Sequence, residues 1–105
     1  MSEFINVTVT REANVYFDGK VTSRAVTFED GTTKTLGIML PGDYTFNTDA
    51  PELMEILAGD LRYRLAGESA WHDIKGGEAF NVPGQSAFDL EIATVVDYCC
   101  SYLAD

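Results

Sequence analysis

Phe88, Leu90 and Ile92 alternate with Asp89 and Glu91, and Leu61, Tyr63 and Leu65 alternate with Arg62 and Arg64. A two-residue period of this kind lays one face of a strand on a core and the other in solvent. Tyr44, Phe46 and Thr48 share a strand face in the same way. No stretch repeats apolar residues at three-four spacing for more than about two turns, so helix signals are nearly absent. Extended segments are predicted over residues 4–10, 15–17, 21–29, 35–40, 43–48, 53–58, 61–65, 71–74, 80–82, 88–92 and 95–103. The segment 53–58 is mostly apolar and is predicted to be buried on both faces. Turns fall at Asp30-Gly31, Pro41-Gly42, Asp49 to Pro51, Gly59-Asp60, Gly76-Gly77 and Pro83-Gly84. About ten short strands at roughly 8–12-residue spacing predict an all-β sandwich or barrel. A small antiparallel barrel is the natural solution, because closure removes exposed sheet edges. Barrels of this size hold one small ligand in the mouth or interior.

Length changes the picture little: 105 residues suffice for a single domain, 1–105, with one core and no need of a disulfide or metal to fold. Charge changes it more. Seven Lys and Arg stand against seventeen Asp and Glu, a net charge of −10. That argues against nucleic acid and anionic membranes as partners, which need a basic face. A single small anion is still compatible, since a local cluster of donors can hold it. No apolar run approaches the ~20 residues of a membrane span. The first residues lack a basic region followed by an apolar stretch, so a cytoplasmic location is expected. Cys99 and Cys100 are adjacent and so point to opposite faces of a strand; both are read as reduced thiols. His72 is the single histidine, and beside Trp71 near a turn it reads as a surface residue. No Ser-His-Asp or Cys-His arrangement can be built on it.

Two glycine-anchored segments carry the most specific signal. Leu40 to Phe46 runs on through Thr48 and Glu52 to Gly59, and Gly77 leads to Phe80, Asn81, Val82, Pro83 and Gly84. Their spacing resembles the two motifs of the cupin barrel, the double-stranded β-helix. Against that pattern the metal-binding histidine positions fall on Phe46, Thr48 and Gln85, and only Glu52 remains as a ligand. One carboxylate does not hold a catalytic divalent metal, so no metal and no cofactor are expected.

The resemblance narrows further, to the small metal-free cupins that are broad-specificity pyrimidine/purine nucleoside phosphorylases. It covers residues 15–103 and leaves 1–14 as an N-terminal extension strand. It rests on Tyr16-Phe17, Gly19 to Val21, Gly37 to Met39, Gly42, Tyr44 to Phe46, Thr48, Pro51-Glu52, Met54, Gly59 and Trp71. It continues through Phe80 to Gly84, Ser86, Phe88, Tyr98, Cys100 and Tyr102-Leu103. The chain departs from the family pattern at Gln85, where a His is usual, and at Ser101, where an Arg is usual. The resemblance implies phosphorolysis: inorganic phosphate, a co-substrate, attacks the anomeric carbon of a nucleoside, releasing base and ribose 1-phosphate. It also implies a homodimer, for which the N-terminal strand would add to a neighbour's sheet edge.

Phosphorolysis passes through an oxocarbenium-like transition state, which is helped by a carboxylate near the ribose and donors for phosphate and base. Glu52 is the candidate catalytic carboxylate; its plainer reading is an ion pair with Arg62 or Arg64. Thr48 is a candidate phosphate donor, or else a buried hydroxyl bonded to backbone. Tyr44 and Phe46 are candidates for stacking on the base, or else plain core. Asn81 either reads base edges or faces solvent. Gln85 and Ser86 follow the Pro-Gly turn, where backbone N–H groups are expected to be free for an anion. Lys20 and Lys34 are the candidate phosphate cations, with Arg62 and Arg64 behind them; each also reads as a solvated surface charge. The alternative function is a small-ligand-binding or sensing cupin without chemistry, because the fold alone does not separate the two. A metal-dependent cupin enzyme is disfavoured by Phe46, Thr48 and Gln85.

Overall fold

The computed structural model describes residues 2–104; Met1 and Asp105, the ends of the predicted single domain, lie outside the described residues. The strands are β1 (Thr8–Val9), β2 (Asn14–Tyr16), β3 (Val21–Thr27), β4 (Thr33–Met39), β5 (Gly42–Asn47), β6 (Glu52–Ala58), β7 (Asp60–Leu65), β8 (His72–Lys75), β9 (Ala79–Val82), β10 (Ala87–Ile92) and β11 (Val96–Tyr102). All the strand pairs are antiparallel. The larger sheet has the order β1-β3-β4-β11-β6-β9, with β2 also pairing along β3, and the smaller has the order β5-β10-β7-β8.

Alternation decides what each strand buries. In β10, which lies between β5 and β7, Phe88, Leu90 and Ile92 are buried inward. Asp89 and Glu91 point outward, where Arg64 Nη2 meets Asp89 at 2.9 Å and Arg62 pairs with Glu91. Both guanidinium groups also stack on Trp71, at 5.0 Å for Arg62 and 4.5 Å for Arg64. The inward faces of the two sheets meet in one apolar cluster that includes Val21, Met39, Met54, Ile56, Leu61, Leu90 and Val96. Fully burying one such side chain is worth roughly 1.5–3 kcal/mol, so this cluster dominates the stability.

Three expectations need correction. Residues 4–10 do not form one strand: Asn6 has φ 55°, only Thr8–Val9 pair, and Phe4 packs edge-on to Phe28 at 5.1 Å. Phe17 is not extended either. It enters a 3₁₀ turn, Phe17–Gly19, with φ 51°, and its ring folds back on Tyr44 at 4.9 Å and Phe46 at 5.4 Å. Third, β6 is not buried on both faces. Met54 and Ile56 are buried, but Leu57 is 48% exposed, left uncovered by the described residues on the outer side of the larger sheet.

The N-terminal segment adds to its own sheet. Thr8 and Val9 pair with Thr27 and Val26, and Asn14 to Tyr16 pair with Ser23 to Val21. Within the chain these pairings make β1 the end strand of the larger sheet, with β3 on one side of it.

Candidate active site

Between the sheets lies a cavity of about 760 Å³. Its volume suits one small organic ligand. One side is aromatic: Phe46 of β5 stacks on Phe88 of β10 at 5.8 Å, and Tyr16 of β2 stands roughly perpendicular to Phe46 at 6.1 Å. Met39 and Met54 add apolar surface. The opposite side is rich in hydroxyls. Tyr98, Cys100 and Tyr102 are alternate residues of β11, so one face of that strand delivers all three to the cavity. Ser23 of β3 and Thr35 of β4 flank them, and Thr32 and Thr33 stand at the β3–β4 turn.

Gly37 makes room for Tyr98, its partner across β4 and β11. A Cβ at position 37 would lie 2.6 Å from the Tyr98 hydroxyl. Without it the ring lies across β4, and its hydroxyl donates to the Thr22 carbonyl at 3.4 Å.

Glu52 opens β6 and pairs with Tyr102 on one side and Val82 on the other. It is half-buried in the cavity wall. Cys100 Sγ donates to its Oε1 at 3.4 Å. Burial pushes the Glu52 carboxyl above the usual carboxylate range, and the Cys100 hydrogen bond pulls it part of the way back. Burial, and next the charge of Glu52, push the Cys100 thiol well up. Burial likewise raises the Tyr102 hydroxyl to about 12. Both therefore stay protonated donors at neutral pH. Among the described residues no Lys, Arg or His lines the cavity, and Asp49 is its one further carboxylate.

Of the residues singled out in the sequence, the fold brings Glu52 and Phe46 together here. Tyr44 lies deeper: it is buried against Phe17 and its hydroxyl donates to the Leu40 carbonyl at 2.6 Å. Thr48 is buried off the cavity, donating to the Pro83 carbonyl at 2.7 Å and accepting from the Ser86 N–H at 3.0 Å. The backbone donors after the Pro-Gly turn are not free, because this loop closes on the 48–49 segment. The Gln85 N–H donates to the Asp49 carbonyl at 3.0 Å, and Gly84 approaches so closely that a Cβ would lie 2.9 Å from that oxygen. The Gln85 side chain is exposed. Asn81 is exposed on the outer face, opposite Leu53. Lys20 is exposed beside the 3₁₀ turn, and Lys34 lies on the outer face with its Nζ over Phe4 and Phe28, 5.4 and 5.6 Å from the ring centres. Neither lysine lines the cavity: Lys34 stands on the outward side of the β4 alternation, and Lys20 lies in the turn before β3. Ser101 also faces outward, buried, and its Oγ has no partner among the described residues. His72 is exposed against Glu68 at 3.2 Å.

The sequence reading did not single out Ser23, Thr35, Tyr98, Cys100 and Tyr102 for this site. Their signal was available as parity: 98, 100 and 102 are the same-face positions of one strand. Among the described residues no group of three His, Cys, Asp or Glu side chains converges to hold a metal ion.

The chain matches the family model described as "Pyrimidine/purine nucleoside phosphorylase" over residues 11–102. A Geobacter sulfurreducens protein named pyrimidine/purine nucleoside phosphorylase is 61% identical over 98% of this chain and 99% of its own length. One of the same name from Chlorobium chlorochromatii is 64% identical over the same shares of both chains. Among solved structures, a protein of unknown function from Acinetobacter sp. ADP1 superposes with a TM-score of 0.93 at 44% identity, covering 96% of this chain and 98% of that one. A cupin superfamily protein from Desulfitobacterium hafniense gives a TM-score of 0.67 at 17% identity, covering 90% and 84%. That last likeness shows the fold, a small cupin-type antiparallel barrel.

Proposed function

We propose, on the premise that this chain belongs to the pyrimidine/purine nucleoside phosphorylase family, that it cleaves purine and pyrimidine ribonucleosides with inorganic phosphate. The products are free base and α-D-ribose 1-phosphate. A phosphate oxygen bonds to the anomeric carbon, the N-glycosidic bond breaks, and its electron pair leaves with the base, which takes up a proton. The observation that carries the residue assignment is Glu52: a half-buried carboxylate with no cationic partner among the described residues, set in an aromatic and hydroxyl-lined cavity. It accepts hydrogen bonds from ribose hydroxyls and offsets the positive charge that develops on the sugar. Phe46 offers its ring face to the base, a contact that tolerates purines and pyrimidines alike. With no cation on the wall, the donors for phosphate are neutral ones, the hydroxyls of Ser23, Thr35 and Thr33.

The reaction is proposed to need no metal, since the wall offers one deep carboxylate and no histidine. A cytoplasmic location is supported by two buried free thiols. We also propose a homodimer, formed through the outer face of the larger sheet. The missing cation favours one second reading, a nucleoside-binding cupin without phosphorolysis. Incubation of the purified protein with several nucleosides, with and without phosphate and with EDTA, separates these. Phosphate-dependent, chelator-insensitive base release is the expected result. Equal release without phosphate would mean a hydrolase, EDTA loss restored by a divalent metal would overturn the metal-free reading, and tight binding without release would select the second one.

A further inference from the structure

Cys100 stands on the inner face of β11, between Thr35 of β4 and Met54 of β6, and is 4% exposed. Glu52 is the next inward position of β6 beyond Met54, so the thiol lies diagonally across the ladder from the carboxylate. Their contact, Sγ to Oε1 at 3.4 Å, is the hydrogen bond to the Glu52 side chain among the described residues. It occupies Oε1 of a side chain that lines the cavity, and Oε2 has no hydrogen bond among the described residues. We propose that Cys100 is a positioning residue for phosphorolysis, its S–H fixing the Glu52 carboxylate in the orientation that meets the ribose. This rests on the reading of Glu52 given above.

Three observations make the pair more than packing. The thiol's own charge state is protected: burial and the neighbouring carboxylate keep it protonated, so it donates across the working pH range and never becomes a repelling thiolate. A thiol is also a weak donor, so it orients the carboxylate while leaving most of its accepting power for substrate. Finally, among the described residues no cation competes for the Glu52 carboxylate. The other titratable groups around the cavity are Tyr98 and Tyr102 on β11, Tyr16 on β2 and Asp49 on the β5–β6 loop, and the β5 and β10 side presents Phe46 and Phe88.

The test is a pH profile of kcat and kcat/KM for Cys100→Ala, Cys100→Val and Cys100→Ser in the full chain, beside Glu52→Gln. Cys100→Ala is expected to lower kcat about three- to tenfold, the share of one hydrogen bond to a charged group from a weak donor, with KM little changed. The acid limb should move to higher pH, because the interaction that lowers the Glu52 pKa is gone. Cys100→Ser, which restores a donor, should bring back rate and acid limb. If Cys100→Ala does not fold, Cys100→Val fills the site without a donor and gives the same comparison. Folded Cys100→Ala or Cys100→Val protein with native kcat and a native acid limb would overturn the positioning role. Should Glu52→Gln also keep its activity, the active-site assignment itself falls, and the two failures are thereby told apart.

Discussion

Glu52 is the side chain on which catalysis and stability pull in opposite directions. As an electrostatic partner that acts while positive charge develops, it helps the transition state more than the bound nucleoside. Glu52→Gln is therefore expected to lower kcat and kcat/KM together, by about 100-fold or about 3 kcal/mol. Its effect on folding has the other sign. The folded-state pKa of Glu52 is raised by burial, so the folded chain holds this proton more firmly than the unfolded chain does. For a raised carboxyl, stability falls as pH rises from the unfolded pKa through the folded one, and the full penalty applies above that window. Glu52→Gln removes the penalty. Thermal melts should show the variant at least as stable as the native protein at neutral pH, with the gap closing as the pH falls below the folded value. A variant that melts lower at every pH would mean that Glu52 holds the fold. Phe46 gives a separate readout. Phe46→Leu keeps an apolar side chain but removes the flat face, and base stacking is worth about 1–3 kcal/mol. KM for nucleosides should rise about tenfold with kcat changed less, and an unchanged KM would take Phe46 out of the base site.

The element that builds the hydroxyl wall is β11, and it depends on β4 for the space. At Gly37, a Cβ would press on the Thr22 carbonyl and the Tyr98 hydroxyl together. The carbonyl is ladder backbone, 2.1 Å from that Cβ, so the β3–β4 ladder has to shift and Tyr98 has to turn as well. Gly37→Ala is expected to cost about 1–3 kcal/mol of stability, as overpacking does, and to lower activity per folded molecule by displacing Tyr98 from the cavity. Retained stability with full activity would show that the close approach relaxes freely. The strands themselves were legible in the sequence, because a period of two survives any rearrangement of partners: β5, β7, β10 and β11 fall within a residue or two of their predicted places. What alternation does not encode is which strands are neighbours. Glu52 and Phe46, which the motif spacing marks, do line the cavity. Cys100, Tyr102 and Thr35 were not legible as site residues, since they reach the cavity only through the β4-β11-β6 order of the larger sheet. The same blindness explains Lys34, whose charge suggested phosphate while its register with Ser101 and Val26 turns it outward. At residues 4–10 and 17 a local backbone choice, φ above zero at Asn6 and Phe17, overrode an apolar pattern.

At the scale of the molecule, the outer face of the larger sheet is the unfinished surface. Along it Val15, Leu36, Ile38 and Leu57 are 63%, 37%, 39% and 48% exposed. By register Val15, Leu36 and Ile38 lie on one side of β2 and β4 with Cys99 and Leu53, Leu57 sits at the irregularity of β6, and Arg24, Glu55 and Asp97 share the same face. Large apolar side chains gathered on one exposed face, here interspersed with Arg24 and Asp97, suit a place where another surface docks. A second copy of this chain fits it without further assumptions, since a two-fold contact needs only a self-complementary face, and sheets pack well on sheets. The apolar character of 53–58, which reads as burial on both faces, is then satisfied: Met54 and Ile56 inside the barrel, Leu53 and Leu57 between copies. The net charge of −10 per chain opposes this association, so the dimer should strengthen with moderate salt as the repulsion is screened. Light scattering should give the mass of two 11.5 kDa chains. Ile38→Asp, which removes an apolar side chain from the patch and sets a second carboxylate beside Asp97, should shift the protein to monomers without changing its circular-dichroism spectrum. Monomeric native protein at micromolar concentration, in low and in moderate salt, would sink the dimer. A dimer that Ile38→Asp leaves intact would place the interface on some other surface.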